Sequence, residues 1–338
     1  MKTILLTWAT GYIGSHTAVE FIKKWQNIII LDNLYNSDIS TLENIEKITW
    51  IKPKFYEADI KDKTALKNIF QENKIDAVIH FAWLKAVWES CEKPFLYYEN
   101  NIVWSLNLFE IMDEFDVKKI IFSSSATVYD STREKSPFTE KNVTWNTTNP
   151  YWTTKLILEN ILRDLSNHRW FKVINLRYFN PIWAHKSWLL WENPNDIPNN
   201  LLPYVMKVLT WELEYLQVFG WDYDTKDWTW ERDYIHVEDL AESHYKAFEF
   251  IENASWKVYE EINIWTGIST SVLEIIKMTN KVTWKELPYK IVDRRAWDIA
   301  ICYCDATKAK KLLNWESKYS IKEAIEDQYK FVRKMQEK

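Results

Sequence analysis

Short β-branched, apolar runs alternate with stretches of helical periodicity through the first half of the chain. The runs predict strands over 3–7, 27–31, 54–57, 77–81, 119–123 and 172–176. Between them, the 3.6-residue pattern predicts helices over 16–24, 64–72, 102–115 and 153–165. Strand and helix in strict alternation imply a parallel sheet covered on both faces, a Rossmann-type doubly wound α/β fold. From about Asn180 the rhythm breaks. Proline and asparagine cluster over 193–200, which reads as loop, and 222–232 reads as an exposed loop. The run 259–264 again has the look of a buried strand, so residues 234–265 are expected to return to the first sheet. A charged amphipathic helix is predicted over 321–334. The expected plan is a nucleotide-binding domain over 1–179 and a smaller α/β substrate domain over 180–338.

Composition narrows the class. The 338 residues carry a net charge of −5, with both signs mixed and no basic run interleaved with aromatics, so nucleic acid is not an expected partner. Three cysteines, Cys91, Cys302 and Cys304, suit a reducing compartment and supply no disulfide framework. The six histidines show no metal-binding spacing, and no metal is expected. No stretch reaches the roughly 20 apolar residues of a membrane span, and the N-terminus lacks the pattern of a signal peptide. A cytoplasmic protein is expected.

One feature of composition is abnormal. The chain has 21 tryptophans and 4 glycines. Together these are 25 of 338 residues, close to the share of about 7% that glycine alone ordinarily holds. Tryptophan also stands where turns call for glycine, as at Trp8, Trp221, Trp228 and Trp230. Most of these are therefore expected to be glycines rendered as tryptophan by a UGA codon read in the wrong table. Trp315 is the exception expected to be genuine.

The first strand runs into Trp8-Ala9-Thr10-Gly11-Tyr12-Ile13-Gly14 and then a helix. With glycine at position 8 this is a G-x-x-G-x-x-G loop, whose backbone N–H groups and helix N-terminus can approach a pyrophosphate. Asp32 ends the next strand about 20 residues on, the spacing of a carboxylate that accepts hydrogen bonds from the adenosine ribose and favours NAD over NADP. Further along, Tyr151 and Lys155 are spaced i to i+4 on one helix face. A neighbouring ammonium should favour the phenolate and make Tyr151 a general base near working pH. The strand over 119–122 ends in Ser123-Ser124-Ser125, hydroxyls at the carboxyl end of a parallel strand.

Gly11-Tyr12-Ile13-Gly14-Ser15-His16, Ile30-Leu31-Asp32-Asn33-Leu34, Ala58-Asp59-Ile60 and the segment from His80 to Val87 resemble the UDP-glucose 4-epimerase family. These are extended short-chain dehydrogenase/reductases, and the resemblance runs through nearly the whole chain. It implies that Gly11, Tyr12, Ile13, Gly14, Asp32, Asn33 and Asn36 hold NAD together with Asp59 and Ile60 at the adenine. It also implies Phe81, Ala82, Lys85 and Phe179 at the nicotinamide side and Asn100 near the diphosphate. Ser125, Tyr151 and Lys155 would be the catalytic set, with Tyr151 and Lys155 also against the cofactor. The implied reaction is redox-neutral epimerisation of a UDP-hexose through a transient 4-keto sugar.

The same resemblance implies that Lys85, Ser125, Tyr151, Asn180, Asn200 and Leu201 face the UDP-sugar. Phe219 would flank uracil, Arg232 and Arg295 the diphosphate, and Asp298 the uridine ribose. Cys302 falls where some members carry a bulky tyrosine, so room for UDP-N-acetylhexosamines is expected. A homodimer is a family expectation. Two alternatives stay open: another nucleotide-sugar enzyme of this fold, a 4,6-dehydratase or a uronate epimerase or decarboxylase, or an inactive sugar-nucleotide-binding protein if the tryptophans are authentic. A dehydratase should place an acidic pair beside Ser125, where this chain has Ala126 and Thr127.

Overall fold

The computed structural model describes residues 1–81, 84–178, 180–192, 200–294 and 299–336. Six parallel strands come first: β1 (Thr3–Thr7), β2 (Asn27–Asp32), β3 (Lys54–Glu57), β4 (Ala77–His80), β5 (Lys119–Ser125) and β6 (Lys172–Tyr178). Short strands follow as β7 (Asn180–Ile182), β8 (Leu216–Phe219), β9 (Glu231–Arg232) and β10 (Tyr234–His236). The chain then adds β11 (Tyr259–Asn263), β12 (Thr270–Ser271), β13 (Tyr289–Val292) and β14 (Ile301–Cys302).

The main sheet has the order β11-β6-β5-β4-β1-β2-β3, parallel throughout. Strands 1, 4, 5 and 6 are buried almost end to end because helices cover both faces, which is why their sequences are continuous Val/Ile/Leu/Phe runs rather than alternating ones. Strand order reverses between β1 and β4, and the carboxyl ends flanking that switch point form the crevice where such sheets take ligands. A second core, built from Ile182, Leu202, Val205, Leu216, Val218, Ile275 and Ile325 among others, lies in the C-terminal half. One reading is corrected. The segment 222–232 is not all exposed loop: Tyr223, Thr229 and Trp230 are buried, and Glu231–Arg232 is a strand paired with β12 and β14.

The backbone bears directly on the tryptophans. Thirteen described non-glycine residues have positive φ, and nine are tryptophan: 8, 25, 50, 170, 183, 188, 211, 228 and 284. Three of the other four are Asn or Asp, which tolerate this region. A bulky side chain there costs about 1–2 kcal/mol per site, so nine such sites consume about as much as an ordinary fold's whole stability of roughly 5–15 kcal/mol. Trp221 and Trp230, which the turn reading also placed at glycine positions, lie outside the left-handed region.

Five of the six histidines are buried. Burial holds His80 and His185 down to about 3, and His16, His236 and His244 to about 4. The unfolded chain protonates them first, near 6.5, so the stability of the neutral buried forms is full above that pH and falls as pH drops toward 4. Asp233 and Asp239 oppose this, since burial raises both to about 6 and the folded chain takes up their protons first. Five histidine protons bound on unfolding against two carboxyl protons released leave a net uptake of about three near pH 5, a slope on the order of 4 kcal/mol per pH unit. Urea midpoints measured at pH 7, 6 and 5 should fall steeply; a flat series would contradict the buried neutral histidines.

Candidate functional site

The loop after β1 turns at the switch point and enters the helix Tyr12–Lys23, with Gly11 as its N-cap. Glycine is required at position 14 by close approach: a Cβ there would sit 2.4 Å from the Ala9 Cα and 2.9 Å from the Trp8 carbonyl oxygen. Asp32, buried at the end of β2, accepts from the Thr10 backbone N–H at 3.0 Å and the Leu34 N–H at 3.0 Å. Its carboxylate therefore ties the first loop to the second. Asn33 donates to Asp59 at 3.0 Å, Ile60 is buried beside them, and Asn36 is exposed at the rim. These predicted cofactor residues gather around one crevice.

The catalytic candidates come from two elements. Helix Pro150–Arg169 starts there because Asn149 accepts from the Trp152 N–H at 3.0 Å and Pro150 occupies the first turn, where its missing N–H costs nothing. Tyr151 is thereby fixed at the helix mouth, with Lys155 one turn deeper and buried. Strand β5 delivers Ser125 at its carboxyl end, where its Oγ accepts from the Thr127 hydroxyl at 2.9 Å. The electrostatics differ from expectation. Burial holds the Tyr151 phenol well above its ordinary range and Lys155 alone does not offset it, where the lowering was expected from Lys155 and cationic NAD together. The reason is that the Lys155 ammonium donates to the Ser123 carbonyl and lies 4.8 Å over the Phe122 ring. Burial also brings Lys155 itself down to about 7, against the opposing pull of Glu159.

Phe81 is buried with its ring 5.2 Å from that of His244. Asn100 is buried on a π-helical turn, Glu99–Val103, a distortion that recurs at functional sites. On the substrate side, Lys85 and Asn200 meet on one carboxylate, Glu192, at 3.5 and 2.7 Å. Asn180 donates to the Asp233 carbonyl at 3.2 Å, Leu201 opens the helix Leu201–Leu209, and Phe219 ends β8. Arg232 is buried, with Nη1 donating to the Glu231 and Ile299 carbonyls at 2.8 Å, and is paired in register with Cys302. Ala82, Phe179, Arg295 and Asp298 lie outside the described residues. Among the described residues, no group of three or more His, Cys, Asp or Glu could hold a metal ion.

Several residues went unread in the sequence. Glu159 accepts two hydrogen bonds from Arg177, at 2.9 and 2.6 Å, and one from Ser124 at 2.5 Å, all buried beneath Lys155. Asp233 accepts from the Thr266, Gly267 and Ile268 N–H groups. Charged residues on helices and in loops ordinarily face water, and only the spacing of Glu159 one turn beyond Lys155 could have drawn notice.

Tested against the NAD that the resemblance implies, the donor set fits at Asp32, Asn100, Lys155 and the cradle below Gly14. Position 8 does not fit. Trp8, only 8% exposed, lines the crevice together with Ile60, Asn100 and Lys155, where the enclosed void is about 10 Å³ against the roughly 300–1,000 Å³ of ligand pockets.

Comparison with known proteins agrees with the geometry. A family profile described as GDP-mannose 4,6 dehydratase matches residues 5–328. The UDP-glucose 4-epimerase of Bacillus subtilis (strain 168) is 50% identical over 330 residues, 97% of this chain and 96% of the relative. Among solved structures, the UDP-glucose 4-epimerase of Stenotrophomonas maltophila, with bound NAD and formylated UDP-arabinopyranose, superposes with a TM-score of 0.95 at 39% identity. It covers 100% of this chain and 99% of its own. The Bifidobacterium longum UDP-glucose 4-epimerase, in complex with NAD+ and UDP, gives 0.93 at 45% identity and 98% coverage of both chains. The broad profile carries a dehydratase's description, but the full-length relatives at high identity are epimerases, and Ser125 is followed by Ala126 and Thr127 rather than an acidic pair. The chain belongs to the UDP-glucose 4-epimerase family.

Proposed function

We propose that this chain interconverts UDP-galactose and UDP-glucose, with NAD as its resident cofactor. The observation that carries the reading is end-to-end likeness to epimerases, at 50% identity over 97% of the chain. It is supported by Ser125 at the carboxyl end of β5 and by Tyr151 and Lys155 in the first turns of the helix that packs on that strand. When bound, NAD supplies reversible acceptance of the hydride from C4 of the sugar and a positive charge beside the phenol. Tyr151 moves the proton of the 4-hydroxyl, and Ser125 hydrogen-bonds the same oxygen. Lys155, whose ammonium donates to the Ser123 carbonyl in this structure, would turn to the cofactor ribose when NAD is bound and so bring its charge to the phenol. Arg232 and Arg295 grip the diphosphate, Asp298 the uridine ribose, and Asn180, Asn200, Leu201, Phe219 and Lys85 position the rest of the substrate. The cofactor is lined by Gly11, Tyr12, Ile13, Gly14, Asn33, Asn36, Asp59, Ile60, Phe81, Ala82, Asn100 and Phe179.

A cytoplasmic homodimer goes with this reading. No described helix is long and apolar enough to cross a membrane, and all three cysteines are free thiols. The test is incubation of protein bearing glycine at the nine left-handed tryptophan positions with UDP-galactose, first without and then with added NAD. UDP-glucose should form. Its absence after NAD is supplied would overturn the reading.

Cys302 extends it to UDP-N-acetylglucosamine and UDP-N-acetylgalactosamine. The residue is buried next to Arg232, its thiol pushed up to about 11 by burial, so it acts by small size rather than as a thiolate. Both acetamido substrates should turn over in the same assay. Good UDP-galactose turnover with neither acetamido sugar converted would end this extension.

A further inference from the structure

We infer that tryptophans 8, 25, 50, 170, 183, 188, 211, 228 and 284 stand at positions the organism decodes as glycine, through one reassigned codon. UGA is a single base from both the tryptophan codon UGG and the glycine codon GGA, so one codon accounts for all nine.

Independent observations converge on these sites. Five stand at helix exits, where a left-handed residue turns the chain out: Trp50, Trp170 and Trp284 directly after Ser40–Thr49, Pro150–Arg169 and Val272–Thr283, and Trp25 and Trp211 one residue further on, after Tyr12–Lys23 and Leu201–Leu209. The closing hydrogen bonds of that turn are present, as from the Gln26 N–H to the Phe21 carbonyl at 3.0 Å and from the Glu212 N–H to the Lys207 carbonyl at 2.9 Å. Helix Thr307–Leu313 makes the same exit through Asn314, a residue that tolerates the conformation. Six of the nine indoles (25, 50, 170, 211, 228 and 284) are 64–92% exposed, so burial offsets none of their backbone strain.

Burial does not explain the interior ones either. Trp183 has φ 97° and is 2% exposed, yet its indole nitrogen is buried without a hydrogen-bond partner. Trp8 has φ 57° and is 8% exposed, and its indole lines the crevice shared with Ile60, Asn100 and Lys155. Trp315 shows what a tryptophan that belongs looks like. It is buried outside the left-handed region, with its indole N–H donating to the Asp239 carbonyl at 3.0 Å. Trp265 is likewise buried, with its N–H on the Arg177 carbonyl at 2.9 Å, and the inference does not reach it.

The test is peptide mass spectrometry of the protein purified from the organism that carries the gene, with the gene's codons read alongside. Glycine is expected at all nine positions from UGA codons, with tryptophan from UGG at position 315. Tryptophan in the native peptides at any of the nine would overturn the inference, as would a mixture of codons across them. A second measurement compares the chain made with tryptophan at all nine against the chain made with glycine. The glycine form should unfold at a higher denaturant concentration and retain NAD, whereas equal midpoints would overturn the strain argument. The mass readout is independent of activity, so failure of the epimerase reading leaves it standing or falling by itself.

Discussion

Tyr151→Phe is expected to lower kcat for UDP-galactose about 10²–10⁴-fold, the range for loss of a positioned proton-transfer group. KM should change little, because the ring that packs at the helix mouth is retained. Two other tyrosines lie close enough to raise the question of substitution, and both are committed elsewhere. The Tyr178 hydroxyl is bonded to Ser123, and the Tyr97 hydroxyl donates to Glu89 at 3.0 Å while accepting from the Ala86 N–H at 3.1 Å. Neither can take over at the sugar. Burial alone keeps the Tyr151 phenol protonated, so the field that draws its proton off must come from charge brought close. Lys155, held at about 7, is one turn along the same helix and is the cation the chain itself offers there. Undiminished inversion by the phenylalanine form, followed as UDP-glucose appearing from UDP-galactose, would remove Tyr151 from the mechanism.

The strands of the main sheet were legible because parallel strands buried on both faces leave uninterrupted apolar runs, as in Ile28–Leu31 and Ile120–Phe122. The loop after β1 was legible from spacing, since Gly11, Gly14 and Asp32 stand at a helix start, a close approach and a strand end. What stayed hidden depends on tertiary pairing. Little in the residues around Glu159 or Arg177 marks them as buried, because burial is decided by the helix residue finding its partner on β6. The hydrogen-bond partner of Lys155 was hidden for a similar reason. Helical spacing places it beneath Tyr151, but the Ser123 carbonyl, contributed by β5, captures its ammonium. Nor could sequence tell Trp221 and Trp230 from Trp228, since neighbouring turn residues differ only in backbone angle.

Glu159→Leu is expected to destabilise the protein by about 3–5 kcal/mol, since it strands a buried guanidinium. Arg177 would keep only the Tyr129 hydroxyl at 3.1 Å and the Glu261 carboxylate at 3.8 Å. The Ser124 hydroxyl would lose its acceptor as well. Against a whole stability of roughly 5–15 kcal/mol, such a loss should move the urea midpoint far down. The double variant Glu159→Leu/Arg177→Met should recover most of it, because two well-packed apolar side chains avoid the desolvation cost that the ion pair only just repays. A single variant as stable as the parent would mean that Arg177 reaches water or another carboxylate.

The same substitution has a chemical readout apart from stability. Glu159 is the group that raises Lys155 against burial, so removing it should lower the Lys155 pKa further below about 7. Catalysis needs the ammonium form, so the loss of activity on the alkaline side should begin at a lower pH in the double variant than in the parent. An unmoved alkaline limb would show that Glu159 braces the sheet without tuning the lysine.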